Sequence, residues 1–259
     1  MNRFDLTGKV AIVTGGNGGI GLGMATALAE AGCAIHVWGR NAGKNAAAVE
    51  RLKAQGGRAE AAVCDVSDAR SVAAALEQTL KLFGRVDGCF ANAGVGGGGR
   101  RAFIERPLEE WRQLLSVNLD GSFLTLQAVA RHMVERGDKG EAGGRLVVTS
   151  SVASLYGTAR NEHYSASKAA LNALTRALAV ELARHRITAN AILPGWIKSD
   201  MTSGVMANDK FVGAVMPRIP MRRFGEPADF GGIAVYLMSD ASAYHTGDCF
   251  VIDGGYMLF

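Results

Sequence analysis

At 259 residues the chain is long enough to bury one large core, and no Pro/Ser-rich linker, low-complexity tract or internal repeat divides it, so a single domain over 1–259 is expected. The net charge of +4 comes from Lys and Arg dispersed on helix faces without a basic, aromatic-interleaved stripe, which argues against a nucleic-acid partner. Met1-Asn2-Arg3-Phe4-Asp5 lacks the charged-then-apolar pattern of a leader, and no run reaches the ~18 apolar residues of a membrane span, so a soluble, cytoplasmic protein is expected.

The first predicted strand, Val10 to Val13, runs into Thr14-Gly15-Gly16-Asn17-Gly18-Gly19-Ile20-Gly21-Leu22-Gly23 and then an Ala-rich stretch from Met24 to Ala31. Strand, glycine turn and helix is the layout of a dinucleotide-binding unit. Glycines let the backbone approach a pyrophosphate closely, and the free N–H groups at the helix start attract the anion. Both Gly16-x-Gly18-x-x-Gly21 and Thr14-Gly15-x-x-x-Gly19-x-Gly21 fit; a structural loop would fit either spacing, but its place after the first strand favours the nucleotide.

The second strand, Ala34 to Trp38, ends in Gly39-Arg40-Asn41 with no carboxylate to accept from an adenosine ribose. The planar donor fork of Arg40 suits a 2′-phosphate, so NADP(H) is favoured over NAD(H), the bland reading being a surface arginine at a strand end. A third strand, Ala59 to Cys64, leads to Asp65-Val66, and a fourth, Gly88 to Ala91, leads to Asn92-Ala93-Gly94, by itself a plain turn signal. The following Val95-Gly96-Gly97-Gly98-Gly99-Arg100-Arg101 is a Gly-rich insertion that could add mobile contacts near a site mouth.

A fifth strand, Arg145 to Ser150, delivers Ser151, thirteen positions before Tyr164. The stretch from Ala166 to Leu182 has no Gly or Pro and reads as a long helix beginning near Tyr164, which places Lys168 one turn above the tyrosine on the same face. A free tyrosine ionises near pKa ~10, and a neighbouring ammonium favours the phenolate, so the pair can act as a general acid or base. Ser151 would hydrogen-bond an oxygen on which charge develops. A sixth strand, Thr188 to Leu193, precedes Pro194-Gly195-Trp196-Ile197; the connection 198–223 is long enough for a substrate lid, although an apolar helix face packed on the domain explains its composition equally well. The seventh strand is Cys249 to Ile252. Alternating strand and helix patterns predict an α/β, doubly wound parallel sheet with helices on both faces. The four cysteines have no Cys-x-x-Cys spacing and the five histidines no ligand spacing, so buried thiols and no metal are expected.

Thr14-Gly15-x-x-x-Gly19-x-Gly21, Asn92-Ala93-Gly94, Asn118, Ser151, Tyr164-x-x-x-Lys168 and Pro194-Gly195 together resemble the short-chain dehydrogenase/reductase family over most of the chain. The resemblance implies a Rossmann-like sheet of about seven strands, adenine contacts from Asp65 and Val66, an Asn92-Ala93-Gly94 turn that lines the cofactor, and nicotinamide contacts from Pro194, Gly195, Ile197 and Ser199, the last standing where a threonine is more usual. It adds Thr14, Gly15, Asn17, Gly19, Ile20, Gly21, Arg40 and Asn41 as the phosphate and ribose side; Asn17 occupies a position that is basic in many NADP-using relatives. Asn118 would sit at a helix distortion holding a water in a proton relay, and Lys168 would also bind the nicotinamide ribose. The implied reaction is hydride transfer to a ketone or from a secondary alcohol. The chain resembles 3-oxoacyl reductases, placed slightly ahead, and sugar-acid or polyol dehydrogenases. A non-catalytic nucleotide-binding regulator would be expected to lack one of Ser151, Tyr164 or Lys168. A homotetramer is implied, to which the apolar tail Val251 to Phe259 would contribute.

Overall fold

The computed structural model describes residues 2–97 and 101–258. Seven strands, β1 (Val10–Thr14), β2 (Ala34–Gly39), β3 (Ala59–Val63), β4 (Gly88–Ala91), β5 (Gly144–Thr149), β6 (Ile187–Pro194) and β7 (Cys249–Ile252), form one sheet in the order β3-β2-β1-β4-β5-β6-β7. Every neighbouring pair is parallel. All seven predicted strands are present, with ends shifted by a residue or two.

Helices cover both faces because the central strands are apolar on both. Along β1, Ile12 packs toward α3 (Ala69–Phe83), α5 (Gly121–Gly137) and α6 (Glu162–Leu182). Its neighbours Ala11 and Val13 point the other way, toward α1 (Gly19–Glu30), α2 (Ala42–Ala54) and α9 (Gly231–Met238). The strand order reverses between β1 and β4, opening a crevice at the carboxyl ends of the strands, where open α/β sheets bind ligands.

Two departures from regular geometry bear on that crevice. Between α4 (Leu108–Leu115) and α5 the chain makes a π-helical turn over Ser116–Asp120, the distortion anticipated at Asn118. Residues 198–223 fold into α7 (Ser203–Met206), α8 (Asp209–Val215) and a 3₁₀ turn, and the excursion is pinched at its base by a parallel bridge between Ile197 and Gly225. The segment divides between core and crevice. Val215 and Ile219 are buried against Tyr256, while Ser199, Asp200, Met201 and Thr202 edge the crevice. Of the Gly-rich insertion, Gly98, Gly99 and Arg100 lie outside the described residues. Among the described residues no helix is long and apolar enough to cross a membrane.

Candidate active site

Two adjoining cavities, of about 570 and 480 Å3, share Gly15, Asn17, Arg40, Lys44 and the Ala93-to-Val95 turn, and so make one elongated trough along the crevice. The first is walled by Trp38, Arg40, Asn41, Asp65 and Val66; the second by Gly19, Ile20, Asn92, Ser151, Tyr164, Lys168, Pro194, Gly195, Ile197 and Ser199. The turn at its floor requires glycine: Gly15 and Gly19 have φ of 63° and 49°, and a Cβ on Gly21 would collide with the Gly15 carbonyl oxygen. A trough of this length, with a glycine floor beneath α1 and an arginine at its far end, fits a dinucleotide with an anionic ribose substituent.

Three predicted residues stand behind the trough instead of in its wall. The Thr14 hydroxyl accepts the backbone N–H groups of Asn92 and Ala93, each at 2.9 Å, and so ties β1 to β4. Gly21 supplies close packing within the turn. Asn118 is fully buried; its Nδ2 donates to the Val95 carbonyl at 3.0 Å and its Oδ1 accepts the Val95 N–H at 2.8 Å. The same Nδ2 lies 3.3 Å from Ser167 Oγ, so one side chain fastens the loop after β4 to the π turn and to α6. These residues position the site through the backbone.

At the catalytic end, β5 presents Ser151 in extended backbone, 8% exposed, its Oγ accepting the Ala153 N–H at 3.1 Å. Lys168 is 5% exposed; its Nζ donates to the Thr149 carbonyl at 2.8 Å and lies 5.7 Å from the centre of the Tyr164 ring. Ser150 Oγ donates to the Lys168 carbonyl at 2.9 Å, locking α6 against β5.

The electrostatics correct one expectation. Burial pushes the Tyr164 phenol above its ordinary value, and a hydrogen bond with Ser151 acts in the lowering direction. Burial also lowers Lys168, to about 8. The lowering of Tyr164 expected from the Lys168 charge does not appear: burial sets the upward direction, and the Lys168 ammonium is bound to the Thr149 carbonyl. A phenol so placed holds its proton at neutral pH and is loaded as an acid.

Around the far end, Asn17 Nδ2 donates to Asn45 Oδ1 at 2.6 Å, and Asn45 donates to the Gly39 and Ala62 carbonyls, fixing the glycine turn to α2. Asp65 accepts from the Ser67 N–H at 3.0 Å and Ser67 Oγ at 2.6 Å, which lowers its pKa. Cys64 also edges this end, with burial pushing its thiol up to about 11.

Sequence reasoning missed Lys44, Met201 and Thr202. Lys44 sits in the first turn of α2, whose cap Asn41 accepts its N–H at 2.9 Å. A cation in that turn opposes the helix dipole, the signal that could have flagged it. Met201 lies against Gly96 across the crevice, a contact that no spacing foretells.

Known proteins resemble this chain over nearly its whole length. The family profile described as "Enoyl-(Acyl carrier protein) reductase" matches residues 15–257. A 2-dehydro-3-deoxy-D-gluconate 5-dehydrogenase of Dickeya dadantii is 37% identical over 257 residues, 99% of this chain and 98% of the relative. The 3-oxoacyl-[acyl-carrier-protein] reductase FabG of Chlamydia pneumoniae is 36% identical over 253 residues, 97% of this chain and 98% of its own. Among solved structures, a gluconate 5-dehydrogenase of Burkholderia cenocepacia, in complex with NADP and tartrate, superposes with a TM-score of 0.92 at 34% identity, covering 100% of this chain and 98% of that one.

Proposed function

Starting from the fact that the chain belongs to the short-chain dehydrogenase/reductase family, we propose that it is an NADP(H)-dependent oxidoreductase acting reversibly on a secondary alcohol or ketone of a small hydroxylated acid. The observation that carries this reading is the meeting of Ser151, Tyr164 and Lys168 at one end of a trough whose other end offers Arg40 and no acidic residue at the close of β2.

The nicotinamide, when bound, supplies or accepts the hydride. The Gly15-to-Gly21 turn would hold the pyrophosphate, Arg40 with Asn41 the 2′-phosphate side, and Asp65 with Val66 the adenine. Asn92, Ala93, Gly94, Pro194, Gly195, Ile197 and Ser199 would enclose the nicotinamide, with Lys168 on its ribose. In the reducing direction the Tyr164 hydroxyl donates its proton to the carbonyl oxygen, and the Ser151 hydroxyl donates a hydrogen bond to that oxygen as charge builds there. Lys168 and the Asn118 turn then lead a proton from solvent back to Tyr164.

Sugar acids are placed ahead of 3-oxoacyl thioesters, the reverse of the order read from sequence. The catalytic half is lined by the hydroxyl-bearing residues Ser150, Ser199 and Thr202 besides Ser151. The cations of the 198–223 segment also differ in availability. Lys198 pairs with Glu226 and Arg223 with Asp229. Arg218 pairs with no carboxylate among the described residues; its guanidinium lies 4.5 Å above the ring of Tyr256, which in turn faces Tyr156. Turnover of NADPH with sugar-acid ketones, 3-oxoacyl thioesters and cyclic ketones tests the choice. The expected result is the highest kcat/KM on a sugar acid; a clear preference for the thioester would overturn it.

The homotetramer expectation belongs to the same reading. Phe123, Leu126, Leu174 and Leu178 line an apolar groove between α5 and α6, and Leu258 near the tail is 90% exposed. Light scattering should give a mass near four chains.

A further inference from the structure

We propose that Lys44 is a second determinant of cofactor choice, and that Asp200 governs it by competing with the cofactor's phosphate for the same ammonium. Lys44 Nζ and Asp200 Oδ2 are 2.7 Å apart, and both residues edge the trough. They approach from opposite banks: Lys44 from the first turn of α2, beside Arg40, and Asp200 from the turn that opens the 198–223 segment.

Three features make this pair an exchangeable contact. Its side chains are 57% and 88% exposed, so the mutual attraction is screened and contributes little to folding. Lys44 and Arg40 both face the shared part of the trough, where a phosphate on the adenosine ribose would bring more charge than one carboxylate. The glycine turn offers no competing cation, since Asn17 stands there with its amide committed to Asn45.

A dinucleotide bearing the 2′-phosphate therefore draws Lys44 from Asp200. One lacking it leaves the pair intact. The Asp200 carboxylate, held ionised by Lys44, opposes the phosphate by occupying the ammonium that would otherwise meet it. This inference rests on the reading that the trough takes NADP(H), and it adds to Arg40 a residue whose strength is set from the bank formed by the 198–223 segment.

Equilibrium titration of NADPH and NADH, followed by cofactor fluorescence, tests it in the wild type, Lys44→Met, Asp200→Asn and the double variant. Both sites are exposed, and thermal melts verify folding. Lys44→Met should weaken NADPH about tenfold, the loss of one partly screened charge-assisted contact, and leave NADH unchanged. Asp200→Asn should tighten NADPH several-fold with no effect on NADH, and that gain should vanish in the double variant, as it must if the two residues act through each other. Unchanged NADPH affinity in Lys44→Met, or an Asp200→Asn gain that persists without Lys44, would overturn the inference. A wild type that binds NADH more tightly than NADPH would instead overturn the NADP(H) reading beneath it.

Discussion

The two ends of the trough use charge in opposite ways. At the catalytic end Lys168 and Ser151 are almost fully buried, Lys168 donating to the Thr149 carbonyl at the end of β5 and Ser151 Oγ accepting the Ala153 N–H, and desolvation governs the lysine. At the phosphate end Arg40 is exposed, and Lys44 is held only by an exposed carboxylate. Burial fixes geometry and shifts pKa values but tolerates little change, whereas exposure gives adjustable selectivity at small energetic cost. Proton transfer needs the first and discrimination between two cofactors needs only the second.

Substitutions at each end should therefore differ in size and kind. Tyr164→Phe should lower kcat by about 10³-fold with the Kd for NADPH nearly unchanged, because a general acid is lost and little else. Retained turnover would remove Tyr164 from the proton path and erase the contrast.

Next in size is the pH dependence of stability set by Lys168. Its folded pKa, about 8, lies below the ordinary lysine value of 10.5, so between those values the unfolded chain binds more protons and stability rises with pH. The rise should be on the order of 3 kcal/mol, and denaturant titrations of Lys168→Met should lose that slope. An unaltered slope would mean that the ammonium is better hydrated than its packing implies.

Asn118→Ala should cost about 2 kcal/mol in urea unfolding, since it orphans the Val95 N–H and carbonyl that the amide now satisfies. It should also lower kcat, as the loop after β4 loses its anchor. The smallest effect belongs to the exposed end: Arg40→Met should weaken NADPH by about tenfold, spare NADH and leave the melting temperature in place. A drop in stability would show that Arg40 is structural after all.

Much of the architecture was readable because parallel strands buried on both faces appear as short continuous apolar runs, and each ended where the glycine turn, Arg40, Asp65, Asn92 or Ser151 was expected. The Tyr164 and Lys168 pair followed from helix periodicity alone. What could not be read were contacts between segments distant in sequence. Thr14 and Gly21 looked like cofactor contacts because their spacing belongs to the turn, yet they brace it from behind. Lys44 and Asp200 are 156 positions apart.

The sequence by itself determined that a glycine turn follows the first strand, that Arg40 closes the second, and that a tyrosine stands one turn from a lysine on a long helix, because backbone periodicity and residue chemistry are local properties. Only the tertiary structure decided how those groups behave. It bound Lys168 to the Thr149 carbonyl and raised Tyr164 by desolvation, and it set Asp200 opposite Lys44, because burial and through-space charge depend on which segments the fold brings together.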